Sequence, residues 1–169
     1  MDNPNEFAPV SESAYCGAGN VHTILLHTSP LTRVLSVFPA VPADAAWHNV
    51  GFHQLRAGGG LLVSANRTGG ETKFIRILSE LGGTTKFRVH DPAWERAAAP
   101  PTAIPASVRV AAVPGAPGEW AVTLARNQSA VLHVGAAALG RAELIIAPCE
   151  GNASEYHWFG YTREMQPLH

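Results

Sequence analysis

Apolar residues along the chain come in short runs of four to seven positions, rich in Val, Ile, Phe and Thr and separated by Gly and Pro. Such runs are typical of β-strands rather than of helices. Pro residues leave few windows of ten positions without a helix breaker, so we expect little helix beyond one turn within residues 93–99. The pattern predicts nine strands, over residues 22–27, 33–38, 60–66, 72–79, 85–90, 107–113, 120–125, 130–134 and 143–146.

The clearest pair of predicted strands is a hairpin around Gly69 and Gly70. Its first strand covers residues 61–66 and its second covers 72–78, where apolar and polar side chains alternate imperfectly. Two adjacent glycines supply the positive φ angles that a tight hairpin loop requires.

Short strands with turn signals every 8 to 12 residues predict an all-β fold, a two-sheet antiparallel β-sandwich or a sandwich-like barrel of about eight or nine strands. Residues 97–105 are rich in Ala and Pro and are predicted to run in extended, polyproline-like geometry over the surface, as a linker within the domain. We therefore divide the chain into an N-terminal arm (1–20), a β-sandwich domain (21–147) and an aromatic tail (148–169) that packs on the domain or on a partner.

Composition narrows the classes of partner. The chain has 169 residues, 46% of them hydrophobic and 15% charged, with a formal net charge of -1. It lacks the basic surface field that attracts nucleic acid or anionic lipid, so we expect neither nucleic acid nor membrane as a partner. The first fifteen residues are polar and acidic, and we expect no secretory signal peptide in them.

Cysteines and glycosylation sequons give a mixed indication of compartment. Cys16 and Cys149 permit one disulfide near the two ends of the chain, and two free buried thiols are an equal alternative. Asn-x-Ser/Thr sequons at Asn66, Asn127 and Asn152 hint at a secreted protein. The compartment therefore stays open.

Motifs for catalysis or for a cofactor are not evident, and we expect neither a cofactor nor a bound metal. The glycine run 58–60 precedes a strand, whereas a nucleotide-binding loop follows a strand and opens a helix. His22, His27, His48 and His53 form two pairs spaced five apart. Residues five apart point to opposite faces of a strand and lie off the i, i+4 spacing of a helix, so we do not expect these pairs to share a metal ion, and a site assembled across strands is the alternative.

Exposed aromatic rings are the remaining candidates for binding. Trp94 lies in a predicted loop with Asp91, which suits a surface that faces a sugar, and Trp47 lies in another loop. Five of the six residues at 156–161 carry rings, among them Tyr156 and Trp158. Such rings stack on the apolar faces of sugars or anchor protein interfaces, although loop carboxylates are more often solvated caps.

One segment resembles a known family. Residues 38–42 read Phe-Pro-Ala-Val-Pro, residues 52–65 read Phe-His-Gln-Leu-Arg-Ala-Gly-Gly-Gly-Leu-Leu-Val-Ser-Ala, and the hairpin of 69–83 ends in Ser-Glu-Leu-Gly-Gly. Together these resemble the C-terminal region of family-95 glycoside hydrolases, the α-L-fucosidase type. Gly58 and Leu61 depart from the usual Arg and Phe of that family, without a threat to the fold.

The resemblance implies a terminal β-domain that follows an (α/α)6 catalytic barrel. In that family the acid and base carboxylates lie in the barrel, so no catalytic residue carries over to this chain, which is then a fragment, a split subunit or a free-standing relative. The family favours an extracellular location.

The resemblance favours a non-catalytic accessory β-sandwich domain that stabilises or docks on a catalytic barrel. The alternatives are a free-standing carbohydrate-binding module that recognises an oligosaccharide, and a small autonomous enzyme with an unrecognised His/Asp site. Seven residues are the candidates for carbohydrate binding or docking: Trp47, His53, Arg56, Asp91, Trp94, Tyr156 and Trp158.

Overall fold

A computed structural model describes residues 11–135 and Ile146, with side chains from residue 17 onward. Its elements are α1 (Ser11–Leu25), β1 (Leu26–Thr28), β2 (Leu35–Val37), a 3-10 turn (Ala45–Trp47), β3 (Val50–Ala57), β4 (Leu61–Thr68), β5 (Glu71–Ser79), β6 (Gly83–Val89), α2 (Pro92–Glu95), β7 (Thr102–Ile104), β8 (Arg109–Ala112), β9 (Glu119–Leu124) and β10 (Gln128–His133).

The ten strands form two five-stranded sheets. The first sheet has the order β1-β2-β6-β9-β8 and the second has the order β3-β4-β5-β10-β7. All neighbours are antiparallel except β2 and β6, which run parallel. The predicted fold class, a mostly antiparallel β-sandwich, is confirmed.

The core lies between the two sheets, as the alternation of the strands requires. The second sheet contributes Val63, Ile75 and Ile77, all fully buried, and the first sheet contributes Phe87 and Val122. Helix α1 adds Leu25 at its last turn. The core thus joins both sheets and the end of the N-terminal helix.

The opposite face of the second sheet also contains buried side chains. Phe74 is fully buried on the face of β5 that points away from Ile75 and Ile77. Ile146 lies over the same face, because its Cγ2 atom is 3.0 Å from the position that a Cβ on Gly51 would take. The face of the second sheet that points away from the core is therefore partly covered as well.

The predicted hairpin is confirmed as β4 and β5. Thr68 pairs with Glu71, which leaves Gly69 and Gly70 as a two-residue loop. Their φ angles are 62° and 81°. Two positive values in succession belong to the type I′ turn, whose twist matches that of antiparallel strands.

Three predictions about secondary structure are wrong. Residues 22–25 lie in α1 rather than in a strand, and β1 begins only at Leu26. The predicted linker 97–105 contains β7, which pairs with β10. The pattern also missed β3, whose apolar positions are interrupted by a register shift between Phe52 and Leu55.

The remaining predictions that bear on chain organisation fall largely outside the described residues. The aromatic tail 148–169 lies outside them, and so does the predicted strand 143–146 apart from Ile146. Within the described part, neither helix is both long and apolar enough to cross a membrane.

Candidate functional site

Two of the predicted surface residues, Trp94 and Asp91, are buried instead. The Trp94 ring is fully buried in the core and its Nε1–H donates to the backbone oxygen of Thr72 at 2.9 Å. Asp91 is only 2% exposed. The sugar-facing arrangement is therefore not observed, and Asp91 is a helix cap, the alternative that the sequence favoured, although it is a buried cap rather than a solvated one.

The buried carboxylate of Asp91 accepts two backbone hydrogen bonds and faces one cation. Its Oδ1 accepts from Ala93 N–H at 2.9 Å and caps α2, and its Oδ2 accepts from Thr72 N–H at 2.7 Å. The guanidinium of Arg67 lies 3.7 Å from Oδ2. This carboxylate joins α2 to the start of β5 and has a structural role.

The start of β5 lies at the end of the second sheet that carries the loop of Gly69 and Gly70, and we call this the hairpin end. Trp47 lies near it. The residues after Trp47 bind that loop: His48 O accepts from Gly70 N–H at 2.9 Å, and Asn49 Oδ1 accepts from Gly69 N–H at 2.9 Å. Trp47 itself is half-buried.

Arg56 lies far from Trp47, near the other end of β3. Strand β3 has eight residues, so its two ends lie about 23 Å apart at roughly 3.3 Å per residue. His53 is exposed between them, at the irregularity where Gln54 N–H donates to Ser64 Oγ at 3.0 Å. The candidate residues that the structure describes therefore do not come together in one site. Tyr156 and Trp158 lie outside the described residues.

The end that carries Arg56 gathers several loops, and we call it the loop end. Gly58 N–H donates to Thr28 Oγ1 at 3.2 Å, which joins the chain after β1 to the turn after β3. Glu80 N–H donates to Gly60 O at 2.8 Å, which adds the chain after β5. The loop end is defined by residues 28–33, 57–60, 80–83 and 125–127.

Two of the four large exposed hydrophobic side chains of the described chain belong to the loop end. Leu31 is 92% exposed and Leu81 is 67% exposed. Leu81 packs over the turn of Gly60, where a Cβ would lie 2.8 Å from Leu81 Cγ. Glycine at this position lets the leucine lie against the backbone while most of its side chain remains in solvent.

A bidentate ion pair at the loop end involves Glu80, the residue before Leu81. Arg56 Nη1 and Nη2 donate to the two carboxylate oxygens of Glu80 at 2.6 and 3.2 Å. The hydrogen bond and the attraction of Glu80 raise the pKa of Arg56, and the hydrogen bond from Arg56 lowers the pKa of Glu80. Both side chains are exposed, so the pair orients the guanidinium more than it stabilises the fold.

A cleft of about 320 Å³ opens at the loop end, next to the last turn of α1. Leu26, Pro30 and Ala57 provide its apolar surface. Its polar lining consists of His22, Thr23, His27, Thr28, Ser29, Arg33 and Arg56.

The sequence pattern separated His22 from His27, whereas the structure places both in the lining. The predicted strand over residues 22–27 would have placed the two side chains on opposite faces of a sheet. Because α1 ends at Leu25 and β1 begins at Leu26, the two histidines belong to different elements and meet at their junction. In the described part of the chain, no group of three or more His, Cys, Asp and Glu side chains is placed to hold a metal ion.

Arg33, Leu31 and Leu81 were not predicted as functional residues. The feature that marks Arg33 is the φ angle of its backbone, 59°, which non-glycine residues rarely adopt, and a sequence pattern does not reveal it. Comparison with models of known protein families and with curated proteins finds no match to this chain.

Proposed function

We propose that the chain is a non-catalytic accessory β-sandwich domain of a glycoside hydrolase of the α-L-fucosidase type, and that it docks on a catalytic barrel through the loop end. The observation that carries the docking surface is the exposure of Leu31 and Leu81 on two loops that both bind the turn of residues 57–60. The resemblance of residues 38–83 to the terminal region of that enzyme family supports the kind of partner.

The loop end has the composition of a protein interface. Apolar contacts surrounded by polar groups are the usual anatomy of such surfaces, and the Arg56–Glu80 pair supplies charged groups of both signs at its edge. Full burial of a leucine contributes about 2 kcal/mol, so the two leucines offer about 4 kcal/mol before the costs of association.

The docking proposal is tested by co-expression of the tagged full chain with the (α/α)6 barrel of a family-95 α-L-fucosidase whose own terminal β-domain has been removed. We expect the barrel to co-purify with the chain as a 1:1 complex in sedimentation velocity. The double variant Leu31→Asp/Leu81→Asp should weaken the complex by more than about tenfold, since each charge must lose its hydration at the interface.

Ile104→Asp is the matched control, because Ile104 is 41% exposed but lies on β7, at the far edge of the second sheet from β3. A barrel that does not co-purify with the unmodified chain contradicts the proposed partner. Equal loss of binding in both variants contradicts the loop end as the docking surface.

A second candidate function, a carbohydrate-binding module, is favoured by the cleft. Its volume of about 320 Å³ is at the lower end of the range for small-molecule sites, and its lining mixes apolar surface with hydrogen-bonding groups. None of the aromatic rings predicted to stack on sugars, within the described residues, lines it. Recognition here therefore depends on polar contacts rather than on stacking.

A further inference from the structure

We propose that the cleft at the loop end binds the oxyanion of a small acidic saccharide, a carboxylate or a sulfate ester. The saccharide part of this inference rests on the carbohydrate-binding role proposed above, whereas the oxyanion part rests on the cleft alone.

Among the described residues, the lining is rich in hydrogen-bond donors and includes no carboxylate side chain. Arg33 and Arg56 carry positive charge, and the imidazole rings of His22 and His27 each carry at least one N–H donor. Glu80 pairs with Arg56 from outside the lining, so Arg33 supplies most of the net positive charge, and this charge favours an anion over a neutral or cationic ligand.

Two of the three hydroxyl groups of the lining are also arranged as donors, whereas the third, that of Thr23, donates to Gly19 O at 2.9 Å within α1. Thr28 Oγ1 accepts from Gly58 N–H at 3.2 Å, and Ser29 Oγ accepts from Thr32 N–H at 3.1 Å. Each oxygen is occupied as an acceptor by the backbone, so each hydroxyl proton is free to point at a ligand. These protons would bind the remaining lone pairs of an oxyanion or the oxygens of a sugar.

Arg33 is held at the cleft by a closely bonded loop. Arg33 N–H donates to Ser29 O at 3.0 Å, and Ser29 N–H donates to Val34 O at 3.0 Å. Val34 N–H donates to Thr32 Oγ1 at 3.4 Å. These bonds fix the left-handed backbone of Arg33, and a fixed loop reduces the entropy lost when a ligand binds.

The carboxyl end of α1 does not oppose an anion strongly. A free helix C-terminus presents unpaired carbonyl groups and a partial negative charge. Here Ile24 O accepts from Ala40 N–H at 3.3 Å and Leu25 O accepts from Phe38 N–H at 2.8 Å. Two of the terminal carbonyls are thus satisfied by the chain that follows β2.

Glu80 limits the affinity of the cleft, because its carboxylate occupies Nη1 and Nη2 of Arg56 from outside the lining. An incoming carboxylate or sulfate would compete with Glu80 for the same guanidinium. Removal of the Glu80 charge should therefore strengthen anion binding, an effect that loss of folding cannot produce.

The test is titration of the full chain, at constant ionic strength in chloride, with D-glucuronate, D-glucose and inorganic sulfate, followed by NMR chemical shifts and calorimetry. We expect D-glucuronate to bind with a Kd of about 1 mM and D-glucose at least tenfold more weakly. Shifts should appear at Thr28, Ser29 and Gly58, which surround the cleft.

Arg33→Asn should weaken D-glucuronate binding about tenfold, since it removes the charge while Asn tolerates the left-handed backbone. Glu80→Gln should strengthen it several-fold. Arg109→Asn is the matched control, because Arg109 is exposed on β8, at the opposite edge of the first sheet from β1, and it should change nothing.

If sulfate binds as tightly as D-glucuronate and responds in the same way to both variants, the oxyanion part of the proposal is supported and the saccharide part is overturned. Absence of binding for all anions at 50 mM, or no response to Arg33→Asn and Glu80→Gln, overturns the whole inference. Neither result affects the docking assay with the barrel, so the two proposals fail independently.

Discussion

Asp91 shows why a loop carboxylate need not face solvent. Its two oxygens accept from the backbone of Thr72, nineteen positions earlier, and from that of Ala93. The sequence offered Asp91 next to Trp94 in a loop and gave no indication of the contact with Thr72. Contacts of this range depend on how the sheets pack, which local pattern does not specify.

Asp91→Ala should lower the free energy of unfolding by about 3 kcal/mol, because it removes the acceptor of the buried Thr72 N–H and the part-buried Ala93 N–H, and the carboxylate that faces the Arg67 guanidinium. Urea unfolding measures the change. Asp44→Ala is the control: Asp44 also caps a helical turn through one N–H, that of Ala46 at 3.0 Å, but is exposed. We expect it to lose about 0.5–1 kcal/mol. Equal losses in the two variants would contradict the structural role of the buried carboxylate.

His90 makes stability depend on pH. Burial lowers its pKa below the ordinary value of 6.5, and Glu95 offsets this only in part. Between the lowered pKa and 6.5 the unfolded chain binds more protons at His90 than the folded chain does, so stability falls as the pH falls through this window.

His90→Gln should therefore show a smaller loss of stability between pH 7.5 and pH 5.5 than the unmodified chain, as measured by urea midpoints at the two pH values. His53→Gln, at an exposed position of β3, should keep the original dependence. An unchanged dependence in His90→Gln would assign the effect to other groups.

The β4–β5 hairpin is the element that the sequence predicts best, because its turn chemistry and its alternation are both local. Gly69 and Gly70 specify the loop, and the strands on either side pair as expected. Helix α1 and strand β3 were missed for physical reasons. Residues 22–25 carry β-type composition within a helix, and the irregularity at Phe52 and Leu55 breaks the alternation of β3.

Gly70→Ala should lower the free energy of unfolding by about 1 kcal/mol, since alanine is disfavoured at a φ of 81°. The cause is conformational, because a Cβ at this position makes only ordinary contacts with His48, at 3.6 Å or more. Gly69→Asn should stay within about 0.5 kcal/mol of the unmodified chain, because Asn-Gly suits the same turn. Thermal or urea unfolding of both variants decides this, and a loss in Gly69→Asn as large as that in Gly70→Ala would contradict the turn assignment.

The whole molecule has two ends of different character. At the hairpin end, the polar groups of Asp91, Trp94 and Asn49 are used in hydrogen bonds within the chain. At the loop end, Leu31 and Leu81 are exposed and the cleft is lined mainly by polar and cationic side chains. Sequence patterns indicated the sandwich but not this division, because it arises where loops from distant parts of the chain meet.

Backbone amide hydrogen exchange of the chain, alone and with the barrel of a family-95 α-L-fucosidase, tests the docking proposal most directly. We expect exchange in residues 28–33 and 80–83 to slow in the complex, while exchange in the loop of Gly69 and Gly70 stays unchanged. Unchanged exchange at the loop end in the presence of the barrel, or slowing confined to the hairpin end, would contradict the account.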